Sequence, residues 1–453
     1  MANNDPTNNS PLSTSDIGDE SLRDELYEYL KFNSSRVVNS IVELRSLLSA
    51  RNQRAQVLGY YTPGDGGGGH YFVDPEDTTS LDNGSTVILA TDGARWKLAT
   101  TKKLDIRQWG AKADGVTDSS PFIQNAFTAG GAQGAQNGVY RLGATVVADY
   151  SGVFPEVTYP SRRLDFRGDG AGNTIFELAT GQNIAFKLTG TDPTAVNQGI
   201  HAQDRIGGFS IYPQGHPYPE GHFGFGLYLL NKAGTVVEDI ATEYLTVGCE
   251  MDGVLSSVFT NLAFKNGIIG MMLNSTALTL PNGNTFNSLV WSGNSQVGLV
   301  ANTLGAGNKI IGGKVEQNGT QGVSGNGGII LNLSGLNGLA TLHLDTVYFE
   351  GNAGDADLKI DNISSLPVTV KISNCTFNRN SDKRFTTSNI IVTSSGGGLV
   401  KVVLDANGHY SIGGVGGYVP SAERPFIQHG SNVEIIGWDT CVYNETTSIP
   451  SVV

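Results

Sequence analysis

Apolar residues recur through the middle of the chain in one short pattern, apolar-x-x-apolar-x-apolar. It stands at Ile206/Phe209/Ile211, at Val237/Ile240 with Thr242 in third place, at Phe259/Leu262/Phe264 and at Phe286/Leu289/Trp291. It returns at Ile310/Val315 with Gly313 between, at Leu344/Val347/Phe349 and at Ile372/Cys375/Phe377. Alternation of this kind suits strands with one face in and one face out. The third places, 211, 242, 264, 291, 315, 349 and 377, are spaced as single coils of a solenoid with loops of varying length. A second apolar strand follows most repeats: Val297/Leu299, Ile329/Leu331, Leu358/Ile360 and Ile390/Val392.

Asn294, Asn318, Asn352 and Asn380 each lie three residues beyond a third place. Stacked coils would set them above one another, where their side chains can bond along the stack and satisfy buried turn groups. The pattern predicts a mainly β fold, a right-handed parallel β-helix over 104–400, in which each coil covers the edge of the next. A helix near 119–129, with Phe122, Ile123, Ala126 and Phe127 on one side, would cap one end.

Outside this region the pattern changes. Residues 1–20 read as a polar arm and 21–55 as helical, with Leu22, Leu26 and Tyr29, then Val37, Ile41, Leu44 and Leu48, at three- and four-residue steps. The second set fits either a seam against copies of itself or an ordinary amphipathic helix. Residues 56–103 read as a small Gly-rich β-domain with Asp-Gly and Asn-Gly turns, and 401–453 as a C-terminal β region. The glycine run near 64–69 lacks the Lys-Ser/Thr and following helix of a phosphate loop.

Composition narrows the classes. The 453 residues include 60 glycines and are 39% apolar, which suits many turns around a thin core and not a helical bundle. A net charge of −13 with no Lys/Arg cluster makes nucleic acid a poor partner. Cys249, Cys375 and Cys441 are far apart and odd in number, so they read as buried thiols and not as a disulfide framework. No apolar signal segment or membrane-length stretch occurs, so synthesis in a cytoplasm, without a signal peptide and without membrane insertion, is expected. No His-x-x-x-His or Cys-x-x-Cys spacing is present, and neither a metal nor another cofactor is expected.

Two segments resemble a known family. The stretch from Leu104-Asp-Ile-Arg-Gln-Trp-Gly to Asp118, followed by a helix, is similar to the opening of pectate-lyase-like β-helix domains in bacteriophage tailspikes. Gly168-Asp-Gly-Ala-Gly-Asn-Thr-Ile-Phe176 resembles their first coils, and 56–99 resembles a small domain that precedes the β-helix in phage tail proteins. The resemblance implies a homotrimer in the virion tail, held to a tail or baseplate protein by its N-terminal part. It also implies binding, and usually depolymerisation, of bacterial O-antigen or capsule.

Candidate chemistry lies on the outward faces. The residue after each third place gives the column Tyr212, Glu243, Lys265, Ser292, Glu316, Glu350, Asn378. Glu316 and Glu350 fall on neighbouring rungs, about 4.8 Å apart. Two stacked carboxylates repel, which favours one protonated and one ionised partner, as glycoside hydrolysis requires. They are the expected catalytic pair, although Glu before Gln-Asn or Gly-Asn also fits a solvated surface position. Tyr348 and Lys314, two residues earlier, are expected substrate contacts, with Asp345 and Asp357 in reserve. Glu238, Asp239, Glu243, Glu250 and Asp252 form a second group of acids, and the aromatic, His- and Pro-rich loop 212–223 reads as a binding or intersubunit loop or as a stiffened turn. No polygalacturonase, pectate-lyase calcium or Gly-Asp-Ser esterase signature is present, so hydrolysis competes with a lyase and with a non-catalytic glycan-binding spike.

Overall fold

The computed structural model describes residues 20–99, 103–129, 132–149, 164–181, 184–190, 204–216, 221, 223–378, 386–405 and 427–437. Asn380, Cys441, His201 and His222 therefore lie outside the described residues. The chain divides into two compact units, Met1–Gly110 and Ala111–Val453.

The first unit opens with helix α1 (Glu20–Asn33), but the helix does not continue to residue 50. Arg36–Val38 is a strand (β1), and α2 covers only Ile41–Ser46. The reason is local. Two β-branched residues precede Asn39-Ser40, the Ser40 hydroxyl accepts from the Glu43 N–H at 3.3 Å, and the Glu43 carboxylate accepts from the Asn39 N–H at 2.8 Å. This start signal places a new helix at Ile41 and leaves Val37 exposed on a strand. β1 pairs in parallel with β2 (Arg54–Val57), and β3 (Gly69–Val73), β4 (Val87–Leu89) and β5 (Arg95–Leu98) complete an antiparallel sheet in the order β1-β2-β3-β5-β4. Ile41, Leu44, Tyr71, Ile88 and Trp96 are buried in this unit. The glycine-rich loop closes around its own Asp65, which accepts from the backbone N–H groups of Tyr60, Tyr61, Thr62 and Gly67. Burial opposes the ionised form of Asp65, but these four donors outweigh it and hold the carboxyl below its ordinary value.

The second unit is a parallel β-helix. Ten strands, from Val146–Asp149 to Ile427–His429, form one parallel sheet, and a second long parallel sheet carries the repeats. With helical and strand handedness fixed by L-residues, parallel crossovers of this kind run right-handed. The repeat residues align rung by rung. Ile206 pairs with Val237, then Phe259, Phe286, Ile310, Leu344 and Ile372. Ile211, Thr242, Phe264, Trp291, Val315, Phe349 and Phe377 form the next inward column. All are buried.

Helix α3 (Ser120–Ala129) buries Ile123, Ala126 and Phe127, while Phe122 is only half-buried. The Phe127 ring lies 5.1 Å from Phe166 and 6.2 Å from Phe186, so the helix closes the aromatic interior of the first coils. At the other end, Val433–Ile436 pairs with Val400–Leu404 and Ile427–His429 pairs with Ile390–Val392, adding rungs beyond residue 400.

Each coil bends where one residue turns left-handed. In the repeat sheet one column of these is Gly208, Asp239, Asn261, Ser288, Gly312, Thr346 and Asn374, and a second, at the strand ends, includes Tyr244, Asn266, Gly293, Gln317 and Gly351. The second strands show one phase difference from the sequence reading. Leu299 and Ala301, not Val297 and Leu299, match the inward Ile329 and Leu331. Val297 packs instead with Val300, Ile330, Ile269 and Met272.

The asparagine stack exists in three members among the described residues. The Asn294 amide donates to Asn318 at 2.8 Å, and the Asn318 amide donates to Asn352 at 3.1 Å. Each also donates to a coil carbonyl, of Phe264, Trp291 and Val315 in turn. Gly270, Gly298 and Gly328 run beside this stack. A Cβ on Gly298 would meet the Gly328 carbonyl at 2.8 Å and the Asn318 amide at 3.1 Å. Those glycines leave the room that the stack occupies. A second stack, Asn284 on Asn308 at 3.2 Å, was not read from the sequence, because neither residue follows a third place.

Candidate functional site

The outward column follows directly from the register. Glu177 pairs with Tyr212, which lies one residue past Ile211, as Glu243 lies one past its partner Thr242. Glu243 pairs with Lys265, Lys265 with Ser292, Ser292 with Glu316, Glu316 with Glu350, and Glu350 with Asn378. Glu316 and Glu350 are half-buried neighbours on one wall.

Lys314 and Tyr348 stand beside them on the same face. Tyr348 donates its hydroxyl to Glu350 Oε2 at 2.9 Å and accepts from the Asn378 amide at 3.0 Å. Burial, and after it the Glu350 and Glu316 carboxylates, push the Tyr348 hydroxyl above its ordinary value against the pull of Asn378. Lys314 Nζ lies 3.2 Å from Glu316 Oε1 with its side chain 56% exposed, so solvent screens this pair.

Asp345 and Asp357 do not join this group. Asp345 lies beyond the left-handed bend at Thr346 and accepts from Thr346 and Asn374. On its own face the His343 ring contacts the Ser373 hydroxyl at 3.2 Å, and Lys371 pairs with Asp405 at 2.9 Å. Asp357 is a correction. It is 2% exposed and accepts from Asn352 at 2.9 Å and Asn389 at 2.7 Å. It ends the asparagine stack where the glycine column stops, and a buried carboxylate bonded in that way cannot contact a polymer.

The other acids also separate. Glu238 pairs with Arg167, Asp239 accepts from Asn261 at 2.6 Å, and Glu243 meets His216 Nε2 at 3.4 Å. Glu250 and Asp252 stand on the ten-stranded sheet, where the Asn274 amide donates to both, at 3.0 and 2.9 Å. Tyr228 donates to Asp252 at 2.7 Å. Burial, reinforced by Asp252, raises the Glu250 carboxyl despite the Asn274 bond. Sequence periodicity gave no signal for this difference between Glu250 and Asp252, since it depends on burial and on the Tyr228 and Asn274 partners.

Cys249 and Cys375 are buried free thiols, and burial pushes Cys375 up to about 12. Among the described residues no group of three or more His, Cys, Asp or Glu could hold a metal ion, and no helix is long and apolar enough to cross a membrane.

Comparison with known proteins agrees with this architecture. Residues 37–101 match the family described as phage tail protein small four-stranded β-sheet domain. The chain resembles the full-length tailspike protein 2 of Escherichia coli O157:H7 bacteriophage CAB120, with a TM-score of 0.61 and 15% identity over 91% of this chain and 53% of that one. It also resembles the gp42 tailspike of Acinetobacter phage vb_AbaP_AS12 (TM-score 0.59, 15% identity, 89% of this chain and 74% of that one). The enzymatically active domain of bacteriophage CBA120 tailspike protein 4 is similar too (TM-score 0.62, 14% identity, 96% of this chain and 58% of that one). At such identities the likeness is one of fold: a tailspike-type β-helix, here in a chain spanning 53% of the first of these proteins.

Proposed function

We propose that this protein is a bacteriophage tailspike that binds a bacterial surface polysaccharide, capsule or O-antigen, and hydrolyses it at Glu316 and Glu350. The observation that carries the proposal is the pairing of those two carboxylates on adjacent rungs of one outward wall, with Tyr348 donating to Glu350. In this reading one of the two carboxyls serves as the acid and the other as the base or nucleophile. Tyr348 offers a ring to a sugar face. Its raised hydroxyl weighs against a lyase that uses Tyr348 as base. The 37–101 segment would hold the spike to a tail or baseplate protein, and the spike would be a homotrimer in the virion tail.

Glu350→Gln and Glu316→Gln each lower the release of new reducing ends at least about a hundredfold with the fold intact. Full cleavage by both variants rejects the site. Products absorbing in the ultraviolet as unsaturated uronates would identify a lyase, and tight binding without cleavage a receptor-binding spike. A second reading places the acid–base pair at Glu250 and Asp252. It is favoured by the raised Glu250 carboxyl next to an Asp252 that accepts from Tyr228 and Asn274. Loss of cleavage in Glu250→Gln, with Glu350→Gln active, would select it.

A further inference from the structure

Four rungs from Glu316, on the same outward wall, Tyr212 and His216 form a ring stack with centroids 3.9 Å apart and planes 9° apart. Tyr244 stands beside it, its ring 5.9 Å from the imidazole and tilted by 57°. The rings are held in place from several sides. His216 Nε2 meets Glu243 Oε2 at 3.4 Å, and the His216 N–H donates to the Pro213 carbonyl at 3.2 Å. The Gly215 N–H donates to Glu177 at 3.2 Å, and the Gln214 N–H donates to the Leu178 carbonyl at 2.8 Å. The Gln214 side-chain oxygen accepts from Arg141 at 3.0 Å and from Thr180. The turn is therefore built before any ligand arrives, which lowers the ordering cost of binding.

All three rings are half-buried and not part of the coil interior. A rigid cluster of aromatic and imidazole rings on a polar wall, bordered by a carboxylate, has the composition of a site that stacks on the apolar face of a sugar and bonds its hydroxyls. Lys265 follows on the next rung after Glu243, and its ammonium has no partner among the described residues. Ser292 then leads to Glu316. At about 4.8 Å per rung, the stack lies roughly 19 Å from Glu316 along the helix axis. That separation suits a linear polymer lying along the wall and not a small molecule.

We infer that Tyr212, His216 and Tyr244, with Glu243 and Lys265, form a remote sugar-binding subsite. It holds one arm of a glycan chain whose scissile bond lies at Glu316 and Glu350. The inference rests on the glycan-cleaving reading of that pair, but the two fail separately. The stack contributes uniform binding and touches no reacting atom, so its loss raises KM and leaves kcat in place.

The test uses the full chain and capsular polysaccharide and lipopolysaccharide purified from a panel of bacterial isolates, screened first for retention of the intact protein. The retained polysaccharide is then titrated against wild type, the double variant His216→Ala/Tyr244→Asn, and Lys265→Met. Asn is chosen at 244 because that residue is left-handed, at φ 59°. The expected result is at least tenfold weaker binding and a matching rise in KM for the double variant. A smaller loss is expected for Lys265→Met, with kcat and melting temperature unchanged in both. His216→Phe, which keeps a ring in the stack, restores most of the affinity. Unchanged affinity and KM in the double variant and in Lys265→Met would overturn the subsite. Weakened binding in the double variant together with full cleavage by Glu350→Gln would support the subsite and remove the catalytic pair.

Discussion

Thr346 turns left-handed, at φ 58°, in a column otherwise filled by Gly, Asp, Asn and Ser. Its branched Cβ makes that conformation costly, and its hydroxyl is spent on the adjacent Asp345 at 3.0 Å. Thr346→Gly or Thr346→Asn should raise stability by about 1 kcal/mol, read as a higher denaturation midpoint, because the backbone already has the shape those residues prefer. An unchanged or lower midpoint would show that the bend is not strained. Asn318 is the opposite case. It donates to the Trp291 carbonyl and to Asn352, and its oxygen accepts from the Asn294 amide and N–H. Asn318→Ala strands groups on both neighbouring coils, so a loss of roughly 3 kcal/mol is expected in urea unfolding. A loss below about 1 kcal/mol would mean that the stack is incidental.

At the scale of elements, legibility followed the physics of each signal. Inward columns such as Ile206 to Ile372 could be read because burial forces alternation in every coil. The outward pair Glu316 and Glu350 followed from the same register. The phase of the second strands was harder. Glycines at 270, 298 and 328 break the alternation, so Val297 reads as inward in the sequence but packs in a different cluster. Asp357 was misread for the same reason. Counted by alternation it faces outward, but it sits in the glycine column and closes the asparagine stack. The N-terminal helix was overextended because three- and four-residue spacing continued through Val37, whereas Ser40 and Glu43 carry the start signal for a separate helix. The left-handed bends were only partly legible, since Thr346 and Tyr244 occupy them against their intrinsic preference.

At the scale of the whole molecule, the Glu250 and Asp252 wall on the ten-stranded sheet carries a structural consequence of pH. Glu250 is raised chiefly by burial, so the folded protein binds its proton more tightly than the unfolded chain. Stability from this group is fully present at pH below the unfolded value of about 4.3 and is lost as pH rises through the folded one. Glu250→Gln should remove that loss, so its stability relative to wild type improves as pH rises from about 4.3 through the folded value. Parallel stability–pH curves for the two proteins would contradict the assignment of Glu250 as the carboxyl strained by burial.

The most direct test of the glycan-cutting wall is a crystal structure of Glu350→Gln soaked with an oligosaccharide of the polysaccharide it retains. The predicted result is a sugar ring over Tyr348 with the glycosidic oxygen between positions 316 and 350, and the chain running toward Tyr212. Oligosaccharide bound instead beside Glu250 and Asp252 on the ten-stranded sheet, with the Tyr348 wall empty, would contradict the account.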